Sequence, residues 1–447
     1  MADPARSTIY DPPMADALQE ETADVLARLV RFETVNPPGD ERACQEWLRD
    51  YLTEAGLECE LMGAEAERPN LVARLPGEQS GPVLGYLSHV DTVLADPADW
   101  THDPWSGEIH DGHLWGRGAL DMKSQTAAEV VAAATLAREG WRPARGELRI
   151  FSVVDEETGG AKGAQWLCEQ RPDAARCDYL VNEGAGPVMP YGDRRLYGVC
   201  CAEKGTFRFA VRARGKAGHA SVPGIADNAL LKLAPVLERL GARRPDFDVT
   251  DEPRAFLAAI GEDPDDPAGA VERLRAVEPR LAAMFEPTLG VTAAPTIVSA
   301  SEKINVIPAR AELKVDCRVP PGMQGEAAMT RIREVLGDTD GLELEFLEQV
   351  VGNRSAIESP LMDVIRDWVG EQDPGGEAVP VMLPAFTDSR HWRAAFPDCV
   401  AYGFFPQRHQ SLYETWPLIH SDDERIDVRD LGFAAGFFHE LPRRLLS

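Results

Sequence analysis

Between Val83 and Gly186 the sequence delivers an apolar run three times, and each run ends in carboxylates: "VLGYLSHVD", "ELRIFSVVDEE" and "CDYLVNEGAG". Runs of this length read as buried strands. The stretches between them, "GHLWGRGALDMKSQTAAEVVAAATLAREG" and "GGAKGAQWLCEQR", read as a glycine-rich loop into a long Ala/Val helix and as a shorter helix. Strand, helix, strand, helix, strand predicts an α/β fold: a doubly wound, mostly parallel sheet whose sites lie outside the carboxyl ends of the strands. Asp91, Glu156, Glu157 and Glu183 all fall at such ends. Neighbouring like charges raise one another's pKa. The run Asp155, Glu156, Glu157 is therefore unfavourable unless it serves a cation, a proton transfer or a helix N-terminus.

Ahead of this unit, helical periodicity covers Ala15 to Arg31 and Cys44 to Ala55, followed by the short strand "LVARL". From Tyr197 to Arg318 the style changes to strand, Ala/Leu/Arg-rich helix, strand, with alternation in "TFRFAVRARG" and "AELKVDCRVPPG". Within it, Arg243 to Pro287 is rich in Pro, Asp and Ala and reads as helices and loops. The segments "LMDVIRDWVGEQ", "CVAYGFFP" and "RDLGFAAGFFHELPRRLL" then resume the earlier alternation. The expected organisation is a first catalytic segment (1–196), an inserted α+β domain (197–318) and a second catalytic segment (319–447).

The 46 basic and 74 acidic residues leave a net charge of -28, which argues against nucleic-acid or anionic-membrane partners. "MADPARSTIYDPPMADALQE" lacks a signal-peptide apolar core, and no later run is long enough to span a bilayer, so a cytoplasmic location is expected. Eight scattered cysteines without a CxxC predict free thiols.

Alternation places His89 and Asp91 on one face, so Asp91 is suited to orient a ligating His89. "GRGALDMKS" brings Asp121 to a helix start, and "PLIHSDDERIDV" supplies His420 after an apolar run. Two imidazoles and several carboxylates at the ends of different strands suit a pair of zinc ions. Glu156 and Glu157 serve one site only if the strand has already turned, as "EETGG" suggests. His110 and His113 flank an Asp-Gly turn and read as loop residues, while His102, His391, His409 and His439 read as structural or surface residues.

In order and spacing, "LVRFETVNPPGDE", "HVD", "GRGALDMK", "DEETGG", "NEG", "GHAS", "NVIPARAELKVDCR", "TDSR" and "IHSDDER" resemble the zinc peptidases and amidohydrolases that include aminoacylase, carboxypeptidase G, acetylornithine deacetylase and succinyl-diaminopimelate desuccinylase. The resemblance implies two Zn2+, with Co2+ or Mn2+ as alternatives, bridged by Asp121. His89 and Glu183 complete one site, and Glu157 and His420 the other. It implies Asp91 behind His89, Glu156 as general base and acid, and an insert that acts as lid and homodimerisation domain. His219 and Asn305 from the partner subunit, with Arg318 and Arg390, are then expected to contact substrate. The implied reaction is hydrolysis of a small carboxylate-bearing amide: a dipeptide, a C-terminal residue or an N-acyl amino acid. A specialised deacylase of a biosynthetic intermediate, a metal-free hydrolase using Glu156 and Glu157, and a non-catalytic binding protein are the competing readings. Two departures from the pattern are Ser301 and Glu302 before "NVIP", where the family often has glycine, and "DMKSQ" in place of "DMKGG".

Overall fold

The computed structural model describes residues 12–242 and 247–447. It divides into two compact units, the first comprising the described residues up to Cys201 with Ser355–Val381 and Thr387–Ser447, the second Ala202–Arg354 with Met382–Phe386.

The first unit is built on one twisted sheet. Nine of its eleven strands run, in spatial order, Glu58–Met62, Asn70–Pro76, Arg145–Val153, Gln79–His89, Tyr179–Asn182, Val400–Gly403, Arg194–Glu203, Pro187–Tyr191 and Gln407–Ser411, and the other two, Asn353–Arg354 and Gly376–Leu383, pair with Arg194–Glu203. The four central strands, from Arg145–Val153 to Val400–Gly403, are mutually parallel. Antiparallel pairs flank them on both sides. Burial on both faces accounts for the near-continuous apolar runs: Leu148, Ile150, Phe151 and Val153 are all fully buried. Five helices share the largest core of this unit, Pro12–Val30, Arg42–Ala55, Lys123–Arg138, Pro360–Gln372 and Val428–Leu445. The alanines of Lys123–Arg138 let that helix sit close against its neighbours, and 14 of its 16 residues are buried.

The second unit has its own sheet, in which Arg310–Val319 pairs with Thr292–Ser299 on one side and Phe209–Arg214 on the other. The sequence reading closes this insert at Arg318, whereas the unit continues to Arg354. Strand Leu342–Phe346 pairs with Phe209–Arg214, and helix Gly325–Leu336 gives Ala328, Ile332, Val335 and Leu336 to the unit's own core. At the other boundary, Tyr197 lies inside the continuous strand Arg194–Glu203. The segment read as helices and loops contains helices Asp251–Ile260, Pro267–Val277 and Pro279–Phe285; its residues 243–246, like residues 1–11, lie outside the described residues. No helix among the described residues is long and apolar enough to cross a membrane. Of the eight cysteines, all free, only Cys59 is not buried.

Candidate metal centre

The strand Gln79–His89 ends at a buried histidine whose Nδ1 lies 3.0 Å from the Asp91 carbonyl oxygen and 3.6 Å from Asp91 Oδ1. A carbonyl only accepts, so Nδ1 carries the proton and Nε2 faces the carboxylates. His89 Nε2 is 3.2 Å from Asp121 Oδ1, 3.7 Å from Glu183 Oε1 and 4.0 Å from Glu156 Oε2. From the far end of the sequence, a chain reversal with positive φ at His420 and Asp423 brings His420 Nε2 to 3.1 Å from Asp121 Oδ2 and 3.2 Å from Glu157 Oε2. Two imidazoles thus approach the two oxygens of one carboxylate, each with a second carboxylate beside it.

The three adjacent acids separate as the strand ends. Asp155 takes a left-handed conformation, φ 73°, and Glu156–Thr158 form a 3-10 turn closed by Gly159 and Gly160, both with positive φ. The turn lets Glu156 and Glu157 enter one cluster. Asp155 instead accepts from Arg68 Nη1 at 3.0 Å, and Arg68 is clamped from its other side by Glu41 at 2.6 and 2.8 Å. Asp91 does more than face His89: its carboxylate accepts the N–H groups of Glu156 and Glu157, both at 3.2 Å, and the Asn36 amide at 2.8 Å.

Charge is out of balance here. Burial, then Glu183, pushes the Glu156 carboxyl well above its ordinary range; burial, then Asp121, does the same to Glu183. Against the cost of burial, the adjacent imidazoles of His420 and His89 hold Asp121 low. Asp121 and then Glu157 raise His420 to about 10. Burial carries Asp388 up to about 7. Glu157 Oε1 and Asp388 Oδ2 are buried with no protein hydrogen-bond partner. Donor atoms of His89, Asp121 and Glu157 lie within 4.8 Å of one another, as do those of His89, Glu156 and Glu183. An excess of partly buried carboxylates around two imidazoles, one oxygen of Glu157 lacking a protein partner, fits divalent cations.

Of the other residues singled out in the sequence, Arg390 donates to the Gly159 carbonyl at 2.6 Å and so braces the Glu156 turn. His391 Nε2 lies 3.3 Å from the same carbonyl, a contact in keeping with a structural residue. His219, Asn305 and Arg318 belong to the second unit. His219 is exposed with Nδ1 2.8 Å from Ser221 Oγ, and Asn305 is exposed on the loop before Val306–Ile307. Arg318 is already engaged, donating to Asp316 at 2.7 Å and to Thr206 at 3.1 Å. His102 and His110 stack on each other, centroids 3.7 Å apart, beside Trp115. His439 is buried 3.2 Å from Glu139.

Sequence reasoning missed Asn36, Glu41, Arg68, Arg117, Asp388 and Glu424. Each lies within a quoted motif or beside one, but only the folded geometry distinguishes it from its polar neighbours.

A family model described as Peptidase family M20/M25/M40 matches residues 85–444. A succinyl-diaminopimelate desuccinylase of Cereibacter sphaeroides is 28% identical over 419 residues, covering 91% of this chain and 94% of its own. Among solved structures, an M20 family metallo-carboxypeptidase from Sulfolobus solfataricus superposes with a TM-score of 0.71 at 17% identity, covering 95% of this chain and 99% of its own. Human carnosine dipeptidase 1 gives 0.68 at 16%, covering 96% and 98%. These two show a shared fold.

Proposed function

Because the chain belongs to peptidase family M20/M25/M40, we propose that it is a metal-dependent hydrolase of the amide bond in small carboxylate-bearing substrates, of the dipeptide, C-terminal-residue or N-acyl amino acid kind. The observation that carries this reading is Asp121 placed between His89 and His420, with Glu183 near the first and Glu157 near the second. His89 and Glu183 would hold one cation, Glu157 and His420 the other, and Asp121 both. The borderline-hard N/O donor set suits Zn2+, with Co2+ and Mn2+ as alternatives. When bound, such a pair supplies Lewis acidity, which acidifies water and polarises the scissile carbonyl.

Glu156 remains for proton transfer. As a carboxylate beside the cluster, its Oε2 4.0 Å from His89 Nε2, it would take a proton from the attacking water and return it to the leaving nitrogen, the two halves of general base and acid catalysis. Asp91 holds the Glu156 and Glu157 amides while its backbone carbonyl fixes the His89 tautomer. Carboxylate recognition falls to Arg390 and Arg318; at Arg318 a substrate would have to displace Asp316. His219 and Asn305 are assigned to the partner's substrate in a homodimer formed through the second unit. The apolar, exposed edge strand Thr292–Ser299, with Ile297 and Val298 each 56% exposed, supports that assembly.

The test combines metal analysis of the purified protein with a screen of N-succinyl and N-acetyl amino acids, dipeptides and their C-terminal amides. Two metal equivalents, turnover lost on chelation and restored by Zn2+, and preference for the free carboxylate are expected. Turnover that survives complete chelation would instead favour a metal-free pair of Glu156 and Glu157.

A further inference from the structure

Glu424 is fully buried four residues beyond His420 and is surrounded by donors from a single loop. Its Oε1 accepts the backbone N–H groups of Leu120 at 2.6 Å and Asp121 at 3.0 Å; its Oε2 accepts the Gly118 N–H at 3.1 Å and Arg117 Nη1 at 2.8 Å. The backbone carbonyl of Glu424 takes a fifth bond from the same loop, the Gly116 N–H at 3.0 Å. These bonds continue the antiparallel pairing of Arg425–Asp427 with His113–Trp115, in which Arg425 faces Trp115. Arg117, also buried, is held in turn by the Leu94 carbonyl at 3.2 Å and lies over the Trp100 ring.

We propose that Glu424 is the positioning residue of the metal centre, which registers the Asp121 loop against the His420 segment so that both imidazoles meet the two oxygens of Asp121. A loop of backbone N–H groups has no side-chain means of finding a distant segment. One carboxylate that accepts three of these groups and sits on the His420 segment ties the two together. Glutamine would place an amide N–H against donors it cannot accept from, so two of the four side-chain bonds become repulsive contacts. Aspartate keeps the charge with a shorter reach. Partners behind a ligand that orient it commonly govern metal affinity by 10- to 100-fold.

This rests on reading Asp121 and His420 as metal ligands. The experiment titrates full-length apo-protein with Co2+ and follows the visible absorption of the bound ion, with the apo Tm recorded for every variant. Wild type is expected to take up two ions. Glu424→Gln is expected to bind Co2+ about 10- to 100-fold more weakly with shifted bands, because Asp121 serves both ions, and Glu424→Asp to recover part of the loss. Ile365→Ala, a core truncation in helix Pro360–Gln372, serves as the stability control and should bind Co2+ as wild type does. Equal affinity in Glu424→Gln and wild type overturns the proposal, as does an equal loss in Ile365→Ala. Should Glu424→Gln not be recovered folded, Arg117→Gln takes its place, with several-fold weakening expected and unchanged affinity as the overturning result. Absence of Co2+ uptake by wild type would instead remove the ligand assignment on which the inference stands.

Discussion

The two units use the same residue types to opposite ends. In the first, Glu41, Asp91 and Glu424 are fully buried, and Arg68 and Arg117 nearly so; Asp91 and Glu424 bind the segments of Glu156, Glu157 and Asp121 directly, and the Glu41–Arg68 pair reaches the same strand end through Asp155. In the second, charges alternate with the apolar core positions on one sheet face. There Arg212 pairs with Glu312 and Glu345, Arg214 with Glu343, and Arg208 with Asp316 and Glu348 across neighbouring strands. A buried pair left half-made costs several kcal/mol, while an exposed pair is screened and contributes little. Buried ion pairs therefore act as fixtures for geometry, and the exposed ladder serves solubility and strand register.

Four substitutions test that contrast, from the largest expected effect down. Glu156→Gln keeps shape but cannot take a proton; turnover should fall by roughly two to four orders of magnitude while metal content stays near wild type. Retention of a tenth of the activity would remove Glu156 from the proton-transfer role. Arg68→Met leaves Glu41 and Asp155 buried without their cation, and equilibrium denaturation should read a loss of about 3 to 5 kcal/mol. A loss below about 1 kcal/mol would mean that water reaches the pair and that the fixture is weaker than its burial implies.

Lys204 is one of the second unit's buried charges, with Nζ donating to the carbonyls of Pro287 at 2.8 Å and Gly290 at 2.6 Å. Burial pulls its pKa down from 10.5 to about 7. Below about pH 7 both folded and unfolded chains hold the proton, and the burial cost is present in full. Between about 7 and 10.5 only the unfolded chain binds it, so this contribution to stability rises with pH. Subtracting the pH profile of Lys204→Met from that of wild type should expose the rise, a few kcal/mol at most; a flat difference would refute it. Arg214→Ala, on the exposed ladder, should leave Tm unchanged within error, and a clear drop there would erase the distinction between the two regions.

How much of this was legible in the sequence depended on the range of the interactions. The three apolar runs ending in acids are local, and they gave the central strands, the intervening helices and the candidates at the strand ends. The turn in "EETGG" is local too, since its glycines supply the positive φ that lets Glu156 and Glu157 face one cluster. Glu424 was hidden because it follows Asp422 and Asp423, and three successive acids look alike until the reversal at His420 and Asp423 buries only the last. Arg68 stands beside Glu67, an apparent local partner, while its partners are Glu41 and Asp155. The end of the second unit was obscured for the same reason. Helix Gly325–Leu336 and strand Leu342–Phe346 continue an α/β rhythm, and only pairing with Phe209–Arg214 assigns them to the other sheet.

The strand Val400–Gly403 lies between Tyr179–Asn182 and Arg194–Glu203, whose own sequences are almost contiguous. During synthesis the central sheet therefore exists as two open ribbons, one ending at Tyr179–Asn182 and the other at Arg194–Glu203. They stay unjoined until roughly 200 further residues have emerged, about 10 to 40 s at ordinary elongation rates. Throughout that interval the Tyr179–Asn182 edge stands open to other chains, while Arg194–Glu203 gains Asn353–Arg354 and Gly376–Leu383 as partners only late in it. Nascent chains halted just short of Val400 should thus be the ones that chaperones hold longest and that aggregate most readily when released.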